Sequence, residues 1–509
     1  MPEPIPQEGW LDGPFERRIR GVQEVTVRPM DPGRLESVLP ADRVDRFERA
    51  TARARARLAG RVVWNVSSTA AGGGVAEMLQ FLLAYARGVG VDTRWAVIEG
   101  DPPFFELTKR LHNLLHGFPG DGGPLGPAEH AHYREVLAGS AEALRSRVRP
   151  GDIVLLHDPQ PAGLLAAMQG IGAAAVWRCH IGRDSANEQT DAGWDFLRRY
   201  VEPADAFVFS RRSYAPPWVD PSRLVVIPPS IDPFSTKNAD LTPGEVDRVL
   251  RRCGLLPEAR RPAAPVRFRR RDGSSGTVGA HSDILLSGPP PPPDARLVLQ
   301  VSRWDRLKDM AGVMEGFARH LAAMEDTHLM LAGPAVVGVA DDPEGAEILA
   351  SCLEQWAGLP WLVRSRVHLA CIPMEDSDEN ALIVNALQRH ARAVVQKSLV
   401  EGFGLTVTEA MWKARPIVAS AVGGIQDQIA DGRDGLLLPD PADLDAFAAA
   451  VARLLDDRPF ADRLGRGARA RAREEFLGDR HLEQYADLFE HLLAIGDRSA
   501  TAVAAPGQA

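Results

Sequence analysis

The sequence predicts an α/β fold in two domains of similar size, each built on a parallel β-sheet with helices on both faces. The chain has 509 residues, which is too many for one compact core. Short apolar, β-branched runs alternate with stretches of helical periodicity, the pattern of a covered parallel sheet. This alternation occurs twice, on either side of a segment rich in proline and arginine.

The first half contains several predicted strands, each an apolar run that ends in turn or polar residues. They are residues 61–68, 92–99, 152–157, 173–180, 206–210 and 224–228. Helical stretches such as 75–87 lie between them.

The second half repeats the pattern after the proline-rich segment. Its predicted strands are residues 296–303, 328–333, 366–371, 393–396, 416–420 and 435–438. Residues 457–493 carry the leucines, arginines and glutamates of long helices.

The segment between the two halves, 257–294, contains RRPAAPVRFRRRDGSSG and then five consecutive prolines. Extended polyproline cannot supply a core, so we expect a flexible surface insertion. The alternative is a basic arm that meets an acidic partner.

The domain boundaries follow from this order of elements. We expect an N-terminal domain at 1–235 and a C-terminal domain at 236–470 that carries the insertion. Helices within 471–495 are expected to return to the N-terminal domain. The small and polar tail, 496–509, is expected to be disordered.

Composition narrows the class of protein. A net charge of −9, with 45% hydrophobic and 25% charged residues, fits a soluble globular protein and disfavours a nucleic-acid partner. The four cysteines form no Cys-x-x-Cys pair, which indicates free thiols in a reducing compartment. The sequence contains no signal peptide and no apolar run of membrane-spanning length, so we expect a cytoplasmic protein without stable membrane insertion.

A glycine-rich turn, SSTAAGGGVAE at 67–77, follows the first strand and opens a helix. Such a turn suits phosphate, because the backbone can approach closely and the helix start offers free N–H groups. Glu77 stands where a dinucleotide fingerprint needs a small residue, so a dinucleotide cofactor is disfavoured. A tight turn without a ligand is the alternative.

Two cations follow the first strand of the second domain, in SRWDRLKD. Arg303 and Lys308 lie at the strand end where open α/β sheets bind ligands. Together they suit a diphosphate, unless they instead pair with Asp305 or Asp309.

Two glutamates, Glu401 and Glu409, lie in SLVEGFGLTVTE, the first in a loop and the second in the early turns of a helix. The spacing alone leaves open an acid/base pair, a metal site, a sugar clamp or a solvated helix edge. Loop N–H groups suit phosphate or sugar hydroxyls. The stretch offers no histidine or aspartate, so we expect no metal.

Polar residues also end two strands of the first domain. His157 and Asp158 end one of them, and Arg178 and His180 end another. Their position favours a binding site over satisfied core residues.

In combination, these motifs resemble the retaining glycosyltransferases of family 4. The resemblance rests on E-G-F-G-L-x-x-x-E, S-R-x-D-x-x-K and the glycine-rich turn. The phrases HDPQPAGL, WRCHIGRD and IPPSIDPFSTKN look most like the trehalose glycosyltransferring synthases. Val400, where a charged residue is expected, and the insertion depart from the family pattern. The resemblance implies the GT-B fold, two Rossmann-like domains with parallel sheets facing across a cleft.

The resemblance also implies roles for individual residues. Arg303, Lys308, Glu401 and His180 would form the catalytic set, with His180 lining the reacting sugar. Asp158, Gln160 and Arg178 would bind the acceptor. The donor would contact Gly73, Gly74, Arg303, Lys308, Glu401, Gly402, Phe403, Gly404, Leu405 and Glu409.

The activity that the resemblance implies is transfer of glucose from a nucleoside-diphosphate glucose to free glucose, forming α,α-trehalose with retention. ADP-, UDP- and GDP-glucose all remain open as donors, and no metal or other cofactor is expected. The alternatives are another sugar acceptor or an inactive protein that binds sugar nucleotides. A homodimer is compatible with the sequence.

Overall fold

The computed structural model describes residues 15–19, 21–70, 73–258, 265–336 and 343–504. The chain divides into two compact units. Unit 1 comprises Met1–Pro229 and Gly478–Ala509, and unit 2 comprises Ser230–Leu477.

Sixteen strands are present in the described residues. In chain order they are β1 Phe15–Ile19, β2 Val22–Val25, β3 Val63–Ser67, β4 Thr93–Ile98, β5 Ile153–His157, β6 Ala174–Cys179, β7 Ala206–Phe209, β8 Leu224–Val226, β9 Arg267–Arg269, β10 Ser275–Thr277, β11 Arg296–Val301, β12 Thr327–Pro334, β13 Val367–Ile372, β14 Ala393–Gln396, β15 Ile417–Ser420 and β16 Leu436–Leu438.

The α-helices of the described residues cover the sheets. They are α1 Ala41–Arg57, α2 Gly73–Gly88, α3 Pro102–Leu115, α4 Pro127–Arg145, α5 Leu165–Met168, α6 Glu188–Val201, α7 Pro243–Cys253, α8 Met310–Gly316, α9 Pro343–Ala357, α10 Trp361–Arg364, α11 Ser377–His390, α12 Leu405–Trp412, α13 Ile425–Gln428, α14 Leu444–Asp456, α15 Arg458–Glu475 and α16 Gly478–Ala504. Side-chain caps begin many of them. Asp101, for example, accepts from the N–H of Phe104 at the start of α3.

Unit 1 contains an eight-stranded sheet in the order β1-β2-β4-β3-β5-β6-β7-β8. The strands β3 to β8 are parallel, as predicted, while β1 and β2 add an antiparallel edge that the sequence did not predict. Both strands are short, and neither alternates apolar with polar residues along its length, so the sequence pattern did not reveal them. The strand order reverses between β3 and β5, so the loops after these strands are expected to carry ligands.

Helix α16 covers one face of this sheet, with Leu488 packing on Val176 and Val208. A buried ion pair joins Asp479, at the start of α16, to Arg43 of α1. The C-terminal helix is therefore part of unit 1.

Unit 2 contains a parallel sheet in the order β13-β12-β11-β14-β15-β16. This is the Rossmann order, with its switch point between β11 and β14. The loops that follow these two strands hold the motifs SRWDRLKD and SLVEGFGLTVTE.

The division between the units falls at 229/230 instead of 235/236. The N–H of Ile231 donates to the carbonyl of Phe476 at 2.8 Å, and Thr236 donates to Asp378 at 3.2 Å. Residues 230–236 thus hydrogen-bond within unit 2. Similarly, α16 continues through 496–504, where alanine favours helix, although a disordered tail was predicted. Residues 505–509 lie outside the described ones.

The proline- and arginine-rich segment is attached to unit 2 over its described residues, 265–294. Strands β9 and β10 form a hairpin in it, and Val278 and Ile284 between the hairpin and the prolines are buried, so the expectation of a flexible surface insertion was wrong for the described residues. Arg270 pairs with Asp376 at 2.8 Å and His281 with Glu379 at 2.9 Å. The acidic partner of this basic segment is therefore the start of α11, whose first turn favours negative charge. Residues 259–264 lie outside the described ones.

None of the described helices combines the length and the apolar character that crossing a membrane requires.

Candidate active site

The predicted cation and the first predicted glutamate of unit 2 form an ion pair. Lys308 ends a short 3-10 helix after β11, and Glu401 lies in the loop after β14. The Lys308 Nζ atom is 2.8 Å from both carboxylate oxygens of Glu401. Both side chains are mostly buried, so this charge pair is fixed at the switch point of the sheet.

A network of uncharged side chains holds the two loops together. Gln396, at the end of β14, donates to Ser302 and to Ser398 at 3.0 Å each and accepts from Thr406 at 3.0 Å. Ser398 in turn donates to Glu401 at 3.2 Å. The network thus connects the Glu401 carboxylate to the ends of β11 and β14.

A second buried amide positions Lys308. Gln300 of β11 donates to the carbonyl of Lys308 at 2.7 Å and accepts from the N–H of Lys397 at 3.2 Å. Sequence reasoning did not identify Gln300 or Gln396 as site residues. Their signal is present in the sequence, because each is an amide in the last two residues of a strand whose preceding three residues are apolar.

Three further charges of the SRWDRLKD loop, on Arg303, Asp305 and Asp309, are paired within the same unit. Arg303 donates to Asp305 at 2.9 Å, which is one of the surface pairs considered for it, but its side chain is 47% exposed. Asp309 pairs with the buried Lys397 instead of with Lys308. The exposed guanidinium of Arg303 can therefore turn toward an anion, while Lys308 is already positioned by Glu401.

The glycines after Glu401 shape the loop that begins α12. Gly404 has φ +84°, a left-handed conformation that favours glycine. A Cβ on Gly424 would lie 2.7 Å from the Cα of Phe403, so the neighbouring loop also approaches closely. Gln428 donates to the carbonyls of Phe403 and Gly404. Because the peptides are trans, the N–H groups of Gly404 and Leu405 point away from Gln428.

The second glutamate, Glu409, is buried in α12 among cations. Lys237 Nζ lies 3.7 Å from its Oε1 atom. Lys413, one turn further along, donates to Asn238 and to the carbonyl of Glu409 at 3.0 and 3.1 Å. Burial lowers the pKa of Lys413 to about 7. The carboxylate thus lies in the second half of α12, with the Lys237 ammonium beside it.

In unit 1, Asp158 adopts a left-handed conformation, with φ +67°, directly after β5. Its N–H donates to the carbonyl of Arg178 at 2.8 Å, and its carboxylate accepts from the N–H of His180 at 2.7 Å. Trp177 donates to its carbonyl at 3.0 Å. Burial raises the pKa of Asp158 to about 7. A strained, partly neutral carboxyl at a strand end is typical of a functional site.

His157 and His180 are joined side by side at the ends of β5 and β6. The Nδ1 atom of His157 is 3.1 Å from the Nε2 atom of His180, and the rings stack at 17°. Burial lowers the pKa of His157 to about 3 and also lowers the pKa of His180. Both imidazoles are therefore neutral at physiological pH.

Arg178 is fully buried, although it was expected to bind the acceptor. It lies on β6 two residues after Val176, on the sheet face covered by α16. Among the described residues, none hydrogen-bonds its guanidinium nitrogens. Its charge lowers the pKa of His157 and of His180, after burial itself. This position favours an electrostatic role over direct contact with an acceptor.

The glycine-rich turn is exposed at Gly73 and Gly74, which start α2. Gly73 has φ +81°, and a Cβ there would meet no atom within 4 Å. Glycine is therefore required by conformation and not by crowding. Gln160 lies in the loop after β5 and is partly exposed. Within the described residues, no group of three or more His, Cys, Asp and Glu side chains could hold a metal ion.

Family models match both units. Residues 65–216 match the model described as trehalose synthase, N-terminal domain, and residues 377–471 match glycosyl transferases group 1. The fold is shared with a trehalose-phosphate synthase (UDP-forming) from Burkholderia xenovorans, solved with glucose 6-phosphate. The TM-score is 0.61 at 16% identity, and the match covers 86% of this chain and 100% of that one. The fold and the matched models define a glycosyltransferase of the GT-B class.

Curated relatives identify the family within this class. Trehalose synthase from Rubrobacter xylanophilus is 35% identical over 443 residues, which is 86% of this chain and 92% of the relative. Trehalose phosphorylase from Pleurotus pulmonarius is 26% identical over 433 residues, 80% of this chain and 54% of the relative. The chain belongs to the trehalose synthase family.

Proposed function

We propose that this protein is a retaining glucosyltransferase that moves glucose from a nucleoside-diphosphate glucose to free glucose and forms α,α-trehalose. The observation that carries the proposal is the ion pair of Lys308 and Glu401, fixed by buried amides at the switch point of the unit 2 sheet. The 35% sequence identity to a trehalose synthase supports the choice of substrates.

On the donor side, the diphosphate is the natural partner of Lys308 and Arg303. Arg303 has an exposed fork-shaped guanidinium, and Lys308 is a compact charge at a defined position. The N–H groups of 402–405 suit the same anion, and the exposed glycine-rich turn at Gly73 and Gly74 by itself also suits a phosphate.

The two glutamates hold the rest of the donor. Glu401 accepts hydrogen bonds from hydroxyls of the transferred glucose, and Glu409 accepts them from the ribose. Neither is a nucleophile in this proposal. Lys308 and Ser398 both bind the Glu401 carboxylate, and such bonds lower its reactivity.

On the acceptor side, Asp158 and Gln160 position free glucose, and His180 lines the transferred sugar. The carboxyl of Asp158 has a pKa of about 7, so it is able to accept or donate a hydrogen bond near neutral pH.

The reaction breaks the bond between C1 of glucose and the diphosphate oxygen and forms a bond from C1 to the acceptor oxygen on the same face. The departing diphosphate takes the proton of the attacking hydroxyl. Negative charge grows on the diphosphate as the bond breaks, so the fixed cations stabilise the transition state more than the bound substrate.

A matrix of donors and acceptors tests the proposal. The protein is incubated with ADP-, UDP- or GDP-glucose and with glucose, fructose or glucose 6-phosphate. Formation of α,α-trehalose from at least one donor and free glucose is expected. Transfer only to fructose or glucose 6-phosphate would show that free glucose is not the acceptor. Nucleotide binding without turnover of any donor–acceptor pair would indicate an inactive binding protein.

The phosphorylase relative supplies a second candidate, the nucleotide-independent cleavage of trehalose by inorganic phosphate. Incubation of the protein with trehalose and phosphate distinguishes the two activities. We expect no glucose 1-phosphate, and its formation without nucleotide would replace the synthase proposal.

We also propose a cytoplasmic location. The four cysteines are all free, which suits a reducing compartment.

A further inference from the structure

We propose that Thr93, Asn65 and His157 are positioning residues that fix the tautomer of His180, so that its Nδ1 atom accepts a hydrogen bond from a substrate hydroxyl. The identity of the substrate as a sugar rests on the proposed function. The direction of the hydrogen bonds rests on the structure of unit 1.

The four side chains form a continuous hydrogen-bonded chain. Thr93 Oγ1 donates to the carbonyl of Val63 at 3.1 Å, and Asn65 Nδ2 is 3.3 Å from Thr93 Oγ1. His157 Nε2 lies 3.1 Å from Asn65 Oδ1, and His157 Nδ1 lies 3.1 Å from His180 Nε2. Thr93, Asn65 and His157 are buried, so water does not compete for these bonds.

The first link sets the direction of the second. A hydroxyl has one proton, and that of Thr93 is directed to the carbonyl of Val63. Thr93 must therefore accept from the amide NH₂ of Asn65. A flipped Asn65 amide would place its oxygen against the threonine oxygen, with no proton between them.

The orientation of Asn65 then fixes both imidazoles. Its oxygen faces His157 Nε2, so that nitrogen carries the proton. A neutral His157 has a lone pair on Nδ1, which accepts from His180 Nε2–H. The other nitrogen of His180, Nδ1, is left with a lone pair.

Neutral rings are required for this conclusion, and the surroundings favour them. Arg178 on β6 and His481 on α16 oppose a positive charge on His180, after burial itself. The Asp158 carboxylate accepts from the backbone N–H of His180, and because burial raises its pKa to about 7, it is only partly ionised at neutral pH. Tyr485, which stacks on His481, remains protonated because burial raises its pKa.

The site therefore selects for hydrogen-bond donors. Within the described residues, Nδ1 of His180 makes no hydrogen bond, and the residue is only partly buried. A sugar hydroxyl can donate to it. A carboxylate or an ether oxygen at the same position cannot, and would face a lone pair.

Nitrogen-15 NMR of histidine-labelled full-length protein without substrate tests the chain directly. His180 and His157 are assigned with the variants His180→Gln and His157→Gln. We expect both rings to be neutral between pH 6 and 8, with the proton on Nε2 and an unprotonated Nδ1. A proton on Nδ1 of His180, or a charged ring, would overturn the inference. This result does not depend on which reaction the protein catalyses.

Substitution of Thr93 supplies the functional test. Thr93→Val removes the hydroxyl but keeps the shape of the side chain. The orientation of the Asn65 amide is then no longer fixed, so His180 should show a mixture of tautomers. We expect kcat/KM to fall about tenfold, with recovery in Thr93→Ser, since one directed hydrogen bond is lost. Thr108→Val is the matched control, because Thr108 is equally buried and bonds only within α3. An unchanged tautomer in Thr93→Val would contradict the role of Thr93.

Discussion

At the scale of residues, each unit contains candidate site groups that were predicted from the sequence and others that were not. Glu401, Lys308 and Asp158 were predicted because polar residues at the carboxyl ends of strands are recognisable without a structure. The partners that position them were not predicted, because Gln300 and Gln396 bond to residues 97 and 94 positions away in the sequence. The side-chain direction of Arg178 could not be predicted either. Arg178 was expected to bind the acceptor, but its guanidinium is buried under α16.

The role of Lys308 leads to the first prediction. Lys308→Ala should lower kcat about 100-fold, because leaving-group charge grows in the transition state. The affinity for nucleoside diphosphate should fall less than tenfold. Steady-state kinetics and calorimetric titration measure the two quantities. Arg306→Ala removes an exposed cation from the same 3-10 helix and should change neither. Equal losses of turnover and affinity in Lys308→Ala would contradict the role.

The raised pKa of Asp158 gives the second prediction. Because the folded pKa is about 7 and the unfolded value is 3.8, the folded protein binds the extra proton between these values. This contribution to stability is present below pH 3.8 and is lost as pH rises toward 7. Asp158→Asn keeps the acceptor oxygen for His180 and tolerates the left-handed backbone.

We therefore expect Asp158→Asn to be more stable than the original protein at pH 8, by about 4 kcal/mol, and nearly equally stable near pH 4. Its transfer activity should nevertheless fall at least tenfold. Urea unfolding at the two pH values and activity at pH 8 measure these effects. Loss of stability at both pH values would show that the carboxyl is structural.

At the scale of elements, the long buried strands were predictable and the short exposed ones were not. β5 and β11 are recognisable as apolar runs, whereas β2 and β9 are only four and three residues long, which is too short for alternation to identify them. The contact between the loops after β11 and β14 could not be predicted from local pattern either. In it, the N–H of Leu399 donates to the carbonyl of Leu307 at 2.8 Å.

The coupling of these loops gives the third prediction. Gln396→Leu removes the amide that connects three hydroxyls and leaves them unsatisfied, which should destabilise unit 2 by about 1–3 kcal/mol. Glu401 should also lose its fixed position, and kcat should fall about tenfold. Gln355→Leu is the control, because Gln355 connects α9 to α8 by one bond to Ala311 and does not contact the loops. Normal kcat in Gln396→Leu would show that the network supports folding only.

At the scale of the whole molecule, two sheets of Rossmann type were predicted from a repeated alternation. The contacts between segments that are distant in sequence within a unit could not be predicted. Ile231 hydrogen-bonds to Phe476, and the described part of the proline-rich segment docks on α11 through His281 and Arg270. Such contacts depend on which side chains meet after folding, whereas strand periodicity is local.

Both units bury neutral histidines, and this common feature leads to the fourth prediction. Burial lowers the pKa of His157 in unit 1 and of His368 in unit 2 to about 3. The unfolded value is 6.5, so below that pH the unfolded chain takes up protons that the folded chain does not. Stability is therefore complete above about pH 6.5 and is lost as pH falls. At pH 5.5 each such histidine should cost about 1.4 kcal/mol.

Replacement of His368 separates this effect from general acid sensitivity. His368 stacks on His328 at the β12–β13 edge of the sheet, so His368→Gln should leave transfer activity unchanged. It should also reduce the fall in stability of unit 2 between pH 7.5 and 5.5 by about 1.4 kcal/mol, because one proton fewer is taken up on unfolding. Urea unfolding followed by tryptophan fluorescence at both pH values measures the difference. An identical pH dependence in His368→Gln and the original protein would mean that His368 can be protonated in the folded state, and that the acid sensitivity of unit 2 arises from other groups.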